Sequence, residues 1–241
     1  MKRLLLIGLL LSGPAAWAKA PQVIDTTKPP VKLSDLYKFL TLQMRRGLTE
    51  TVNVWPIRLQ GRASEILSQG NFFEVEMTLK PFELQDLSFE KGEILIKEMK
   101  VDAAAMQAWD LKLLSYKEVQ TRLIFTLRSL EKKLSQRHGE IKLRADSENR
   151  LVESKGRGSF CLIPLGFEAK AGLRWDEKGK KLYFEPKSVA WGGVNVPLWL
   201  QWLGSGAIPK EPLLDLSSSW IPLNIQEIYV GWDRINLSTN W

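Results

Sequence analysis

Apolar and polar residues alternate along much of this chain from residue 51 onward, and this period of two constrains the fold more than any other feature. The clearest run alternates Phe73, Val75, Met77 and Leu79 with Glu74, Glu76, Thr78 and Lys80. Successive side chains of a β-strand point to opposite faces, so such a strand has one buried face and one wet face. Strands of this kind form antiparallel sheets. The alternation therefore predicts a β-rich protein.

The same period recurs further along the chain and predicts additional strands. They fall at residues 51–59, 94–101, 119–127, 141–144, 150–153, 160–163, 167–175 and 181–185. Turns are predicted at Lys91-Gly92 and at residues 177–180. A closing hairpin is predicted from residues 220–230 and 233–239, with its turn at Gly231-Trp232. Because the connections are short, neighbouring strands should pair as antiparallel hairpins.

Two segments follow the helical period instead. Residues 32–46 predict an amphipathic helix with Gly47 just past its end, because apolar residues recur there at helical spacing. These residues are Leu33, Leu36, Tyr37, Leu40 and Met44. A second helix is predicted to begin near Thr126 as its N-cap and to end at Gly139. For the first helix, packing on the protein's own core is the main expectation and membrane contact is the alternative.

The N-terminus has the layout of a secretory signal peptide. Two cations, Lys2 and Arg3, precede an apolar run at residues 4–11, and small residues follow at Ala16 and Ala18. This order of charged, apolar and small residues predicts export and cleavage after Ala18. The apolar run is too short to span a bilayer, which needs roughly 20 apolar residues. An uncleaved anchor or a buried helix is the alternative interpretation.

We therefore interpret residues 1–18 as a signal peptide, residues 19–30 as a leader and residues 31–241 as a single domain. The exported protein is expected in the periplasm or the cell envelope. Hydrophobic residues make up 44% of the chain, which suffices for a core and argues against disorder. Because Cys161 is the one cysteine, no intramolecular disulfide can form, and packing must supply the stability.

The net charge is basic and indicates the kind of surface that the protein meets. The formal charge is +7, and removing Lys2 and Arg3 with the signal peptide lowers it to +5. A basic exported protein meets anionic lipid headgroups more readily than nucleic acid. The basic residues form small separate groups, and most aromatic residues occupy the apolar sides of predicted strands. Nucleic-acid binding is therefore not expected, because it needs exposed aromatic residues among basic ones.

Residues that could support catalysis are few. His138 is the one histidine, and no Gly-x-Ser-x-Gly motif accompanies it. The usual zinc sites need more histidine or cysteine than this chain has. Glu74 and Glu76 share a strand face, but their alternation with core residues is typical of a solvated face. The sequence predicts a protein that is not an enzyme and has no cofactor or metal. An enzyme that uses Glu or Asp alone is the alternative.

Tryptophan is concentrated near the C-terminus. Six of the ten tryptophans fall in the last quarter of the chain, at Trp191, Trp199, Trp202, Trp220, Trp232 and Trp241. Residues 197–203 are very apolar and predict a brief helix. Tryptophan favours boundaries between apolar and wet regions, including membrane interfaces. An ordinary core that uses large residues explains the same composition equally well.

Several segments occur in an order that is typical of a known family. They are a strand pair at residues 72–77 and 94–96, a strand running into a helix at 126–130, a basic turn and strand at 180–186, and residues 193–197, 212–216, 221–223 and 235–237. With this order, the chain from about residue 70 onward resembles the LmeA-like phospholipid-binding family of exported bacterial proteins. The tryptophan-rich residues 197–203 depart from the family pattern.

The resemblance implies an envelope protein that binds phospholipid or a related amphiphile without chemistry, with transport left open. It also implies an α+β fold in which a strongly curved antiparallel sheet wraps amphipathic helices, as in tubular lipid-binding folds. Peripheral contact with a membrane is compatible with this function. A ligand-free scaffold or interaction protein of the envelope is the alternative function.

A groove is favoured over a surface patch because each buried methylene of an acyl chain contributes about 0.8 kcal/mol. We expect Phe73, Val75 and Met77 to line or back the lipid cavity. We expect an entrance that touches the membrane to be formed by Leu198, Trp199, Trp202 and Leu203.

Overall fold

The computed structural model of the 241-residue chain describes residues 24, 26–160, 163–197, 204–205 and 211–239. The predictions on the signal peptide, on Cys161 and on the tryptophan-rich segment fall outside these residues. The same is true of four predicted lipid-contacting residues, Leu198, Trp199, Trp202 and Leu203.

Antiparallel sheet dominates the structure: strands account for 50% of it and helices for 19%. This agrees with the predicted α+β class. The helices of the described ranges are α1 (Leu33–Gly47), α2 (Ala63–Gln69), α3 (Ala103–Gln107) and α4 (Leu127–His138).

The strands of the described ranges are β1 (Val54–Gln60), β2 (Asn71–Leu79), β3 (Phe82–Leu84), β4 (Leu87–Val101), β5 (Leu113–Ser115), β6 (Glu118–Thr126), β7 (Ile141–Asp146), β8 (Leu151–Phe160), β9 (Ile163–Asp176), β10 (Lys181–Trp191), β11 (Val194–Val196), β12 (Gly204–Ser205), β13 (Leu214–Asp215), β14 (Glu227–Val230) and β15 (Arg234–Ser238).

The strands form two antiparallel sheets. The first has the order β1-β2-β4-β6-β15-β14, with β3 and β5 also paired to β4. The second has the order β11-β10-β9-β8-β12, with β13 paired to β10 and β7 paired to β8. Neither sheet closes on itself within the described part of the chain. The chain passes from the first sheet to the second through α4. It returns to the first sheet for the last hairpin, β14–β15.

The predicted turn at Lys91-Gly92 is wrong, because β4 runs unbroken through both residues. Gly92 is a packing position: a Cβ there would lie 2.7 Å from Leu79 Cδ1 and 3.1 Å from Leu123 Cδ2. Glycine therefore lets the neighbouring strands bring their leucines together. The turn of this region lies at Gln85-Asp86, where φ is 51° and 65°. Two successive residues with positive φ suit a tight hairpin, but Gln-Asp lacks the glycine that normally signals one.

The core is one continuous cluster that includes residues from both sheets, from α1 and from α4. On α1, Leu36, Phe39, Leu40 and Met44 are completely buried. The helix therefore lays one face on the core, as predicted, and its spacing of apolar residues is explained by that packing. Leu33, at its first turn, is 43% exposed and does not belong to the buried face.

Helix α4 begins and ends where the sequence predicts. Thr126 is the N-cap, and its hydroxyl oxygen accepts a hydrogen bond from the backbone N–H of Ser129 at 3.0 Å. Gly139 follows the last turn with φ of 85°. The cap lies at the end of β6, so the change from strand to helix occurs at one residue.

The closing hairpin is confirmed for β14 and β15, but the predicted strand at residues 220–226 is irregular. Pro222 has no backbone N–H and cannot complete a strand ladder. The carbonyls of Ser219 and Ile221 accept hydrogen bonds from the Lys180 ammonium instead of from a neighbouring strand. This irregular segment forms one wall of the site described next.

Candidate functional site

A cleft of about 840 Å³ lies where three distant parts of the sequence meet. One wall is formed by residues 113–120, which include β5 and the start of β6. The second is the turn at residues 177–180 between β9 and β10, and the third is the irregular segment at 220–226. Its volume lies within the range of about 300–1,000 Å³ that is typical of small-ligand sites.

Part of the cleft wall is apolar. Val119 and Leu223 are 5% and 7% exposed, so they belong to the core and present only a small surface to the cleft. Trp220 stands beside them, and its indole N–H donates to the backbone carbonyl of Gln43 on α1 at 2.8 Å. A Cβ at Gly47 would lie 2.8 Å from the Trp220 ring. Helix α1 therefore fixes the position of this tryptophan.

Lys180 is one of three lysines that line the cleft, with Lys117 and Lys178. Its Nζ donates to the carbonyls of Ser219 at 2.8 Å and Ile221 at 2.9 Å. Burial lowers the pKa of this ammonium, and no carboxylate contributes to the shift. Among the described residues, none forms an ion pair with Lys180. The cleft thus holds a partly buried cation whose hydrogen-bond partners are neutral carbonyl oxygens.

The remaining polar groups of the cleft include an acceptor and a charged rim. Asn224 Oδ1 is buried and has no hydrogen-bond partner among the described residues. Its backbone carbonyl accepts from the Thr239 hydroxyl at 2.9 Å. At the rim, Glu118 accepts a hydrogen bond from Lys97 at 2.9 Å, and this contact lowers the pKa of the Glu118 carboxyl.

The predicted cavity residues on β2 do not all share one face. Val75 and Met77 are completely buried in the core, whereas Phe73 is 63% exposed. Phe72 takes the buried position instead, so the strand changes face between residues 72 and 75. Residues Met99 and Lys97 on β4 pair with Phe72 and Glu74, and between them Glu98 has φ of 50°. This left-handed residue interrupts the alternation, which the sequence pattern assumed to be regular.

The carboxylates Glu74 and Glu76 lie on the solvated face that the sequence predicts. Glu74 accepts a hydrogen bond from Gln60, and Glu76 forms an exposed ion pair with Arg58 at 3.2 Å. Across the ranges that the structure describes, no three His, Cys, Asp or Glu side chains group as metal ligands. No helix in those same ranges is both long and apolar enough to cross a membrane.

Comparisons with protein-family models, with curated proteins and with solved structures found no match to this chain.

The sequence did not reveal the cleft, because about forty or more residues separate its walls from one another along the chain. In the sequence, Lys180 belongs to a basic turn, and nothing in the neighbouring residues indicates that its side chain is partly buried. Trp220 was assigned to a strand. The only local signal was Pro222, which disfavours a strand at residues 220–226.

Proposed function

We propose that this chain binds a phospholipid or a related anionic amphiphile in the cleft, without changing it chemically, in a bacterial cell envelope. The observation that carries the proposal is the environment of Lys180. Its ammonium is partly buried next to an apolar wall and forms no ion pair with any residue that the structure describes. An amphiphile carries an anionic group, which suits the ammonium, and a hydrocarbon part, which suits the apolar wall. Its anionic group would face Lys180, and its hydrocarbon would cover Val119, Leu223 and Trp220.

The electrostatic contribution comes from the incomplete compensation of Lys180. A cation that is partly removed from water is less stable unless an anion or several acceptors replace the water. Two carbonyls supply part of this replacement. A hydrogen bond between charged groups is worth about 1.5–3 kcal/mol, so a phosphate oxygen at this position would be held firmly.

The hydrophobic contribution depends on how much hydrocarbon the cleft covers. Each buried methylene contributes about 0.8 kcal/mol, so even part of one acyl chain would exceed the contribution of the headgroup.

The proposal includes the tubular arrangement, in which strongly curved sheet wraps amphipathic helices. The continuous core shared by α1, α4 and both sheets supports it. Val75 and Met77 would then back the lipid-binding region from inside the core. The entrance formed by Leu198, Trp199, Trp202 and Leu203 stays part of the proposal, and replacing Trp199 and Trp202 by Ala is expected to weaken liposome binding without loss of the fold.

Native mass spectrometry of the protein before and after extraction with organic solvent tests the proposal. We expect a bound mass that equals one or two phospholipids and that disappears on extraction. Incubation of the extracted protein with phosphatidylglycerol should restore it. If the protein stays free of lipid after this incubation, the envelope scaffold becomes the better interpretation.

A further inference from the structure

An exposed apolar pair lies on the rim of the cleft, in residues 112–117, here called the rim segment. Leu114, on β5, is 52% exposed, and Tyr116, just after β5, is 47% exposed. Tyr116 also lines the cleft. Neighbouring exposed apolar side chains beside a cleft are one feature of surfaces that contact a membrane or another protein.

Lysines flank this pair on both sides. Lys112 and Lys117 end the rim segment, and their side chains are 68% and 69% exposed. Lys100 is exposed on β4, where it pairs in register with Ser115. Lys112 and Lys117 are held in ion pairs, so Lys100 is the cation that can meet a lipid phosphate while the apolar pair enters the interface of an anionic bilayer.

The acidic residues around the rim segment are already neutralised. Asp102 pairs with Lys112 at 3.7 Å, and Glu98 pairs with Lys117 at 2.6 Å. Glu118 pairs with Lys97 at 2.9 Å. Lys100 has no ion-pair partner among the described residues, so this surface carries a cationic surplus rather than a repulsive negative charge.

The geometry points to the rim segment as a contact between this protein and an anionic membrane surface, with Leu114 entering the interface and Lys100 facing lipid phosphates. The inference rests on the proposed lipid-binding function, because it places the cleft against the bilayer that supplies its ligand. Other exposed apolar side chains include Val194, which is 68% exposed on β11, and Trp232, which is 86% exposed between β14 and β15, and neither of these two lines the cleft.

Sedimentation with lipid vesicles tests the contact. Vesicles of phosphatidylcholine mixed with phosphatidylglycerol are compared with vesicles of phosphatidylcholine alone, using the full chain. Replacing Leu114 with Ser is expected to lower the affinity for the mixed vesicles about tenfold, since one leucine leaves the interface. Val194→Ser is the control, because it removes an exposed apolar side chain from the second sheet, away from the cleft, and its affinity should stay unchanged.

A separate substitution, at Lys100, tests the electrostatic part of the membrane contact. Lys100→Gln is expected to weaken binding to the mixed vesicles about fivefold at low salt and to leave binding to pure phosphatidylcholine unchanged. Lys142→Gln, whose side chain is 77% exposed on β7, is the control for a lysine elsewhere. The difference between the Lys100 variant and the wild type should shrink as salt is added.

Binding of a short-chain phosphatidylglycerol, kept below its micelle concentration, separates this inference from the proposed function. Leu114→Ser should bind this soluble lipid normally, because Leu114 does not line the cleft. If vesicle binding depends on Leu114 while the wild type ignores the soluble lipid, the membrane contact stands and the cleft proposal fails. Unchanged vesicle affinity in Leu114→Ser, or an equal loss in Val194→Ser, would overturn the contact.

Discussion

At the scale of single residues, the cleft combines two side chains whose positions are fixed from outside it. Lys180 is held by the carbonyls of residues 219 and 221, and Trp220 is held by α1 through Gln43. A ligand therefore meets groups that are already oriented, and little ordering of side chains is needed on binding.

Replacing Lys180 with Met removes the charge and keeps the length of the side chain. We expect the affinity for short-chain phosphatidylglycerol to fall about ten- to a hundredfold, as the loss of one charged hydrogen bond implies. Lys180→Arg should retain most of the affinity because it keeps the cation. Equilibrium titration measures both, with Lys142→Met as the control. Equal affinity for Lys180→Met and the wild type would remove Lys180 from the site.

Because of Asp215, we expect the free energy of unfolding to depend on pH in the acid range. Hydrogen bonds from Ser217, followed by the ion pair with Lys181 at 3.0 Å, hold the pKa of this carboxyl at about 2, below its ordinary 3.8. Because the pKa is depressed in the folded state, the contribution is complete above pH 3.8 and is lost as the pH falls through 2. The side chain is 34% exposed, so screening limits this contribution to about 1 kcal/mol.

Asp215→Asn keeps an oxygen acceptor for Ser217 but removes the charge. Its free energy of unfolding should be about 1 kcal/mol lower at neutral pH and should converge with the wild type near pH 2. Urea unfolding at a series of pH values measures the difference. A difference that stays constant down to pH 2 would show that Asp215 acts through packing instead.

At the scale of elements, the turn between β3 and β4 joins the two sheets. The Gln85 side chain donates to the carbonyl of Asp215 on β13 and accepts from its N–H at 2.9 Å. The Gln85 carbonyl accepts from the Lys133 ammonium on α4. One residue of a tight turn thus connects the first sheet, the second sheet and a helix.

Gln85→Ala removes both side-chain hydrogen bonds to β13. We expect the free energy of unfolding to fall by about 1–2 kcal/mol, since two backbone groups lose their partners near the surface. Glu83→Ala, on the exposed side of the neighbouring strand, is the control and should change stability little. Urea unfolding measures both, and a Gln85 variant as stable as the control would show that water replaces the bridge.

Individual helices, turns and strands also show which local features the sequence pattern predicts correctly and which it does not. Helix α4 was predicted with its cap at Thr126 because capping is decided by neighbouring residues. The sequence does not predict the turn at Gln85-Asp86 because neither residue with positive φ is a glycine, and the Gln85 side chain bonds to a residue 130 positions away on the second sheet. Phe73 was placed on the wrong face because the irregular residue that reverses the alternation, Glu98, lies on the partner strand.

At the scale of the whole molecule, features that depend on neighbouring residues could be predicted from the sequence, and features that depend on residues far apart in the chain could not. Alternation within a strand predicted β6, and the turn at residues 177–180 was predicted from its own composition. The order of strands, in which β15 returns to pair with β6, depends on contacts between residues more than a hundred positions apart. The cleft arises from the same long-range pairing, so no single segment carries its signal.

Ligand binding in this cleft should stabilise the whole fold, because its walls belong to both sheets and to the segment held by α1. A ligand that binds only the folded state at about 100 times its dissociation constant raises the free energy of unfolding by about 2.7 kcal/mol. Short-chain phosphatidylglycerol should therefore raise the thermal midpoint of the delipidated protein. Gly47→Ala displaces the Trp220 ring, which a Cβ would approach to 2.8 Å, and should reduce this increase.

The control is Gly193→Ala, at a position where a Cβ meets nothing within 4 Å. Gly193 has φ of 83°, so its alanine variant is strained and lowers stability by itself. It should nevertheless keep the full increase with lipid, because Gly193 does not line the cleft. An equal increase in Gly47→Ala and the wild type would mean that the lipid does not contact Trp220. No increase in the wild type would leave the cleft without a phospholipid ligand.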